Sequence, residues 1–517
     1  MQFTIKGIKM KSLSLKASAL AVMLALGAQA AYAEDAADWT LDGQAALAKA
    51  KQLHPNAKKA KNIILFVGDG MGVSTVTAAR IFEGQMKGID GERNLLSFEK
   101  LPYLAMSKTY STNQQTADSA PTMTAMVTGV KTNDGVLSVD QSVENGDTDN
   151  AKIQANRLTT ILEMAETNGL STGVISTARI THATPAATYA HTSARDWETK
   201  TATAPAAGIA DIAAQAVDNF GAGAIGDGME VFLGGGRTKF LPNTAFDPED
   251  TTRRGERTDG RNLITEFQTK FDADFVWNKA QFDAFNAAGS KRLIGLFERS
   301  HMEFEHDRPA DTGKEPSLAE MTDKAIDVLQ KNKKGFFLMV EAGRIDHGHH
   351  AGNAYRALSD TVALSDAVKK ALEKVDLNDT LIIVTADHSH TMTMAGYPAR
   401  GNPVLGKVVN PGETAFALAE DGKPYTTISY ANGKGYHVGA PGETVYALPT
   451  AAGRVADMTA VDTTNPDFHQ EALVPAGSET HAAEDVQIFA GGPKAHLFHG
   501  VQEQSYIFHV MKDAFGF

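Results

Sequence analysis

Short apolar runs rich in β-branched and aromatic residues recur along this chain, and stretches with helical spacing lie between them. The runs are NIILFV (62–67), STGVIS (171–176), MEVFLG (229–234), GFFLMV (335–340) and TLIIVT (380–385). Helical periodicity marks RLTTILEMAETNG (157–169), AGIADIAAQAVDNF (207–220) and AYRALSDTVALSDAVKKALEKV (354–375). Strands apolar on both faces are buried on both faces, so the alternation predicts a mostly parallel sheet covered by helices on each side. Two segments break the rhythm: 401–477, dense in Gly, Pro and Thr, which reads as an insertion, and 244–259, which reads as a charged surface excursion.

Three of the expected strands end in acids. ILFVGDGMG delivers Asp69, FLMVEAGRID delivers Glu341 and Asp346, and IIVTADHSH delivers Asp387 and His388. Function in open α/β sheets gathers at the carboxyl ends of the strands. Each acid alone reads equally as a cap for the next helix. Several together repel one another unless cations neutralise them. RIDHGHHAG adds His347, His349 and His350, and SETHAAED adds another histidine near the end. Imidazole with carboxylate suits zinc, and carboxylate with hydroxyl suits magnesium.

The chain has no cysteine, so disulfides, thiolate ligands and a thiol nucleophile are excluded. Covalent chemistry must use an oxygen or nitrogen nucleophile. In TADSAPTMTAM (116–126), Ser119 stands where a small-residue helix is expected to begin, a place that favours a phosphoryl group or oxyanion. Either Asp118 or Ser119 also reads as a plain helix cap. No G-x-S-x-G elbow is present, which leaves an α/β-hydrolase serine unsupported.

Residues 1–33 carry four lysines, no acid, the apolar run ALAVMLALGAQA and then Ala31-Tyr32-Ala33. That is the pattern of a cleaved signal peptide, and the run is shorter than the ~20 residues of a spanning helix. A periplasmic or secreted mature chain with no membrane span is expected. The net charge of −13 grows more negative once those lysines leave, which disfavours nucleic acid as a partner.

FVGDGMG, TADSA, THATPAATYAHTSAR, FFLMVEAGRIDHGHHAG, VTADHSH and ETHAAEDVQIFAGGP resemble, in order, the motif set of the alkaline phosphatases, from about Lys61 to the C-terminus. The resemblance implies a metal-dependent enzyme for small phosphate monoesters, with a three-layer α/β/α sandwich over 34–517, a crown-like insertion at 401–477, two Zn²⁺, one Mg²⁺ and a homodimer. It implies Ser119 as the nucleophile that becomes phosphoserine. Asp346, His350 and His481 match the first zinc site; Asp69, Asp387 and His388, with Ser119, match the second. Asp69 would bridge to a magnesium site completed by Thr184 and Glu341. Arg195, held by Asp118, matches the guanidinium that grips the phosphoryl oxygens.

His182 and His347 stand near the magnesium site where well-known bacterial members carry Asp and Lys, which is similar to the animal enzymes. Loss of that carboxylate predicts activity that depends on added Mg²⁺. The animal likeness further implies a calcium site from Glu249, the Phe297 backbone oxygen, Glu298 and Glu315, in the oxygen-only style calcium takes. Sulfatases share parts of this constellation, but DSAPTMT lacks the arginine their nucleophile motif carries. A metal- or phosphate-storage protein would not need a serine between metal and arginine.

Overall fold

The structure is a computed structural model that describes residues 34–89, 91–289, 291–435 and 457–517. The leader reading (1–33) lies outside the described residues, as does part of the 401–477 segment (436–456). Two units are described. Residues 34–53 form one helix, Ala36–Lys51, opened by an Asp35–Asp38 capping box and with no buried residue. His54–Phe517 holds everything below.

Its strands are β1 (Asn62–Gly68), β2 (Tyr103–Lys108), β3 (Ser171–Arg179), β4 (Val231–Gly235), β5 (Ala273–Val276), β6 (Arg292–Leu296), β7 (Phe336–Ala342) and β8 (Thr380–Ala386). There follow β9 (Ser389–His390), β10 (Met392–Met394), β11 (Ile428–Gly433), β12 (Ala472–Pro475), β13 (His481–Ala482), β14 (Val486–Gly491) and β15 (Val501–Glu503). Ten of them form the main sheet in the order β15-β2-β14-β8-β1-β7-β3-β4-β6-β5. Every pairing in it is parallel except those of β14, which runs against both β2 and β8.

Side chains along β1 alternate between two cores, as the strand period of two requires. Ile63, Leu65 and Val67 join the core that includes Met123, Ile161, Phe232 and Phe508. Ile64 and Phe66 join the opposite core, built with Val76, Met321 and Leu364. Helices therefore cover both faces of the sheet, and the three-layer α/β/α architecture stands as expected. The five expected strands correspond to β1, β3, β4, β7 and β8, and the long helix to Ala354–Lys374. β2, the short β5, β6 and β15, and the antiparallel β14 complete the sheet.

Helix starts follow local chemistry. Thr160 with Glu163 and Ser317 with Glu320 form capping boxes, each satisfying two otherwise orphaned backbone donors. β8, β1, β7 and β3 lie side by side in register, with Val67 opposite both Glu341 and Thr385, and Ser176 opposite Glu341. Their carboxyl ends thus open onto one ledge. β14 enters that ledge from the other direction, so the residues just before it, including His481, arrive at the same place.

Candidate active site

Ser119 is the first residue of the fully buried helix Ser119–Thr128, and Asp118 is its N-cap, accepting from the Ala120 amide at 3.3 Å. Asp118 thus fills the capping role, and Ser119 is left to face the ledge. Its Oγ lies 3.1 Å from His388 Nε2. That nitrogen is also 3.4 Å from Asp69 Oδ1 and 3.4 Å from Asp387 Oδ2. Asp387 is aimed by its other oxygen, which accepts from the Gly70 and His388 amides at 3.0 Å each. Gly70 has φ +70°, and a Cβ there would fall 2.4 Å from the His390 ring, so this turn admits only glycine.

A second cluster gathers on Asp346. His350 donates from Nδ1 to the Glu479 carbonyl (2.6 Å), and His481 donates from Nδ1 to the Ala117 carbonyl (2.9 Å). Those two bonds fix the tautomers and leave both Nε2 lone pairs facing inward. They lie 3.2 Å from one another, and 3.2 and 3.3 Å from Asp346 Oδ1. Two imidazole lone pairs and a carboxylate oxygen converging without a proton to share make a cation's donor set.

A third group brings ligand atoms of Asp69, His182 and Glu341 within 4.8 Å of one another. Neither oxygen of Asp69 accepts a hydrogen bond, and Glu341 Oε1, Thr184 Oγ1 and His182 Nδ1 are equally buried and unpartnered. The other Glu341 oxygen accepts from Ser176 Oγ. Burial, and then the neighbouring carboxylates, raise Asp69 well above the usual range, and burial lifts Glu341 to about 8. Unpaired buried carboxylates are costly in a dry site, so the donors fit hard divalent cations.

Arg195 pairs with Asp118 and places Nη2 3.0 Å from His182 Nε2. A guanidinium only donates, so His182 accepts and its own proton sits on Nδ1. Burial first, then Arg195 and His347, hold His182 well below its ordinary pKa. His347 takes a donor from Arg344 at Nδ1, 3.1 Å away, and its ring centroid is 4.1 Å from that of His301. The ledge opens to solvent through a cavity of about 470 Å³ bordered by Ala117, Asp118, His350, Thr480 and His481.

Residues 60–517 match the family model described as alkaline phosphatase. The tissue-nonspecific alkaline phosphatase isozyme of Gallus gallus is 43% identical over 484 residues, covering 92% of this chain and 88% of that one.

The chain belongs to the alkaline phosphatase family.

The alkaline phosphatase of Gadus morhua is 41% identical, covering 92% of this chain and 95% of its own. Among solved structures, Thermus thermophilus alkaline phosphatase superposes with a TM-score of 0.63 at 23% identity, covering 89% of this chain and 92% of that one. That likeness bears on the fold, as the sandwich requires. This alkaline phosphatase is accordingly a phosphoric monoester hydrolase, and metal dependence comes with the family.

Two residues that the sequence left unmarked, His390 and Glu479, complete the Asp346 cluster. His390 Nε2 is 2.8 Å from Asp346 Oδ1 and its Nδ1 is 2.5 Å from Glu479 Oε2. Burial alone would lower its pKa, but the two carboxylates raise it to about 10. ADHSH contained His390, yet nothing local separated it from a loop histidine. His301, which lies against both His182 and His347, carried no motif at all.

The expected calcium ligands are only partly brought together. Glu249 and Glu298 are grouped with Asp311, all offering oxygens within 4.8 Å of one another. Outside that group, Glu315 accepts the Glu303 amide on Oε1 (2.8 Å) and leaves Oε2 buried and unpartnered, and its own amide donates to Asp311 Oδ2 (3.2 Å). The short 3₁₀ turn Arg308–Ala310 brings Asp311 forward, a geometry that four residues of sequence offset do not announce. Phe297 is buried and precedes Glu298, with its amide donating to Gly234 at 2.9 Å. Burial and then Glu249 and Asp311 lift Glu298 to about 8, while Arg237 holds Glu249 at 2.7 Å.

Proposed function

We propose that this alkaline phosphatase cleaves phosphate monoesters through a phosphoserine on Ser119, with two zinc ions and one magnesium ion as its metals. The buried Ser119 hydroxyl, set at a helix N-terminus between His388 and the Asp118-held Arg195, carries this reading. Asp346, His350 and His481 would hold the first zinc ion, and Asp69, Asp387 and His388 the second. Glu341, Thr184 and Asp69 would hold magnesium, with His182 and His347 beside it. Bound there, the metals supply Lewis acidity to the serine, to the leaving oxygen and to the water that follows.

The chain's own groups do the rest. Ser119 Oγ attacks phosphorus, forming the seryl P–O bond as the bond to the alcohol breaks; water then cleaves the seryl phosphate and restores the hydroxyl. Arg195 presents two N–H groups to two phosphoryl oxygens, and Asp118 and His182 keep its plane fixed. The dipole of the helix Ser119–Thr128 favours the phosphoryl charge. Phosphoryl transfer asks mostly for positioning and charge neutralisation, which this arrangement provides.

Export through the 1–33 leader, assembly as a homodimer and a calcium ion at Glu249, Phe297, Glu298 and Asp311 belong to the same proposal. Among the described residues no helix is long and apolar enough to cross a membrane. The test is release of an aryl alcohol from its phosphate by the purified mature chain between pH 7 and 10. Activity that vanishes on chelation and returns only with Zn²⁺ and Mg²⁺ together is the expected result. A fully metallated but inert protein, or a pH optimum at or below neutrality, would refute the reading.

A further inference from the structure

β11 lies within the 401–477 segment and bonds residues beside the Asp346 cluster at two points, two residues apart on one face of the strand. The Tyr430 hydroxyl is 2.8 Å from His349 Nδ1, and His349 Nε2 is 3.0 Å from Thr75 Oγ1. His349 is fully buried on the helix Arg344–His350, which also carries Asp346 and His350. Its ring stacks on His390 at 4.8 Å and 29°, and His390 in turn holds Asp346. At the second point the Thr480 amide donates to Asn432 Oδ1 (3.0 Å) and Asn432 Nδ2 donates to Thr480 Oγ1 (2.8 Å). Thr480 immediately precedes His481.

We propose that β11 is the positioning element of the first zinc site, with Tyr430 and Asn432 as positioning residues. Tyr430 pins the helix bearing Asp346 and His350. Asn432 pins the strand bearing His481, and the two pins share one rigid strand. Three ligand atoms from two distant parts of the chain converge because β11 sets the spacing between them. The 401–477 segment thereby serves the metal centre directly, whatever its outer surface does. This inference rests on the two-zinc reading above.

The test uses the metal-loaded full chain. Tyr430→Phe and Asn432→Ala are equilibrated against graded zinc chelator, and retained zinc is measured by elemental analysis. Removing a direct outer partner of a metal ligand weakens binding about 10- to 100-fold, and these two residues act one contact further out, so the lower end, about tenfold, is expected. Each variant is expected to lose one zinc ion at chelator concentrations lower by that factor, with the second zinc ion and magnesium retained as in the wild type. Asn432→Asp, which keeps the oxygen that accepts from Thr480, should recover part of the loss. Tyr397→Phe, just ahead of that segment and 85% exposed, should match the wild type. Unchanged zinc retention in both variants, or parallel loss of both zinc ions, would overturn the proposal. A wild-type chain that binds no zinc would overturn the two-zinc reading itself, an outcome distinct from a zinc-loaded wild type with unaffected variants.

Discussion

Stripping the metals should make this protein's stability fall more steeply with rising pH than that of the loaded protein. Asp69, Glu341 and Asp387 converge in a buried site, and burial raises all three. A carboxyl raised in the folded state contributes its full stability below the unfolded pKa and loses it as pH rises through the folded one. Glu341 moves from an ordinary 4.5 to about 8. At about 1.4 kcal/mol per pH unit, that single group costs the stripped fold about 5 kcal/mol between those limits, as an order of magnitude. A chain of this length loses about 1 kcal/mol per degree at its midpoint, so the melting temperature should drop by about 5 °C from this residue, and further from Asp69 and Asp387. Asp346, held well below its ordinary value by His350, His390 and His481 despite its burial, is already ionised throughout the window and adds no slope. The assay compares melting curves of chelated and Zn²⁺/Mg²⁺-loaded protein from pH 5 to 9. Buried Glu230, raised by burial to about 7, titrates in both forms and cancels in the difference. A stripped protein whose midpoint runs parallel to that of the loaded one from pH 5 to 8 would refute the argument that cations substitute for protons here.

Three further outcomes follow from the site. Ser119→Ala should lower turnover by at least about a thousandfold in protein reloaded to the wild-type zinc content, read by elemental analysis; turnover retained at full zinc content would count against a nucleophilic role. His182→Asp returns a carboxylate beside Asp69 and Glu341 while keeping an acceptor for Arg195, so half-maximal activation should need about tenfold less Mg²⁺; an unchanged Mg²⁺ titration would contradict the placement. Asp311→Asn should abolish any rise in melting temperature on adding Ca²⁺, whereas Glu315→Gln should leave it; the reverse pattern would restore Glu315 as the ligand.

The strands that carry the site were legible because burial on both faces demands unbroken apolar runs, as in NIILFV and TLIIVT. β14 was harder to place: VQIFAG is equally apolar, but its direction is decided by partners 100 and 380 residues earlier in the chain. The acids proposed as ligands could be read because they lie at or just after strand ends, where geometry leaves little freedom. His390, Glu479 and His301 act only through contacts between distant segments, and no local spacing marks them. Asp311 and Glu315 differ only by a turn that side-chain and backbone contacts select, so chemistry alone could not choose between them. Family resemblance supplied the roles; the structure supplied the tautomers of His350 and His481, which no sequence states.

The reversed direction of β14 also dictates a timetable. It fills the gap between β2 and β8, so during synthesis the sheet stays split there until residue 491 is available. Its pairings span most of the chain, and contacts of that range form slowly because loop closure precedes any return. His481 is carried in on the same stretch and reaches Asp346 only when the gap closes. A nascent or prematurely terminated chain therefore holds Ser119 and Arg195 without the full donor set around them, and remains chemically silent. Assembly of the sheet and completion of the metal centre become a single late event.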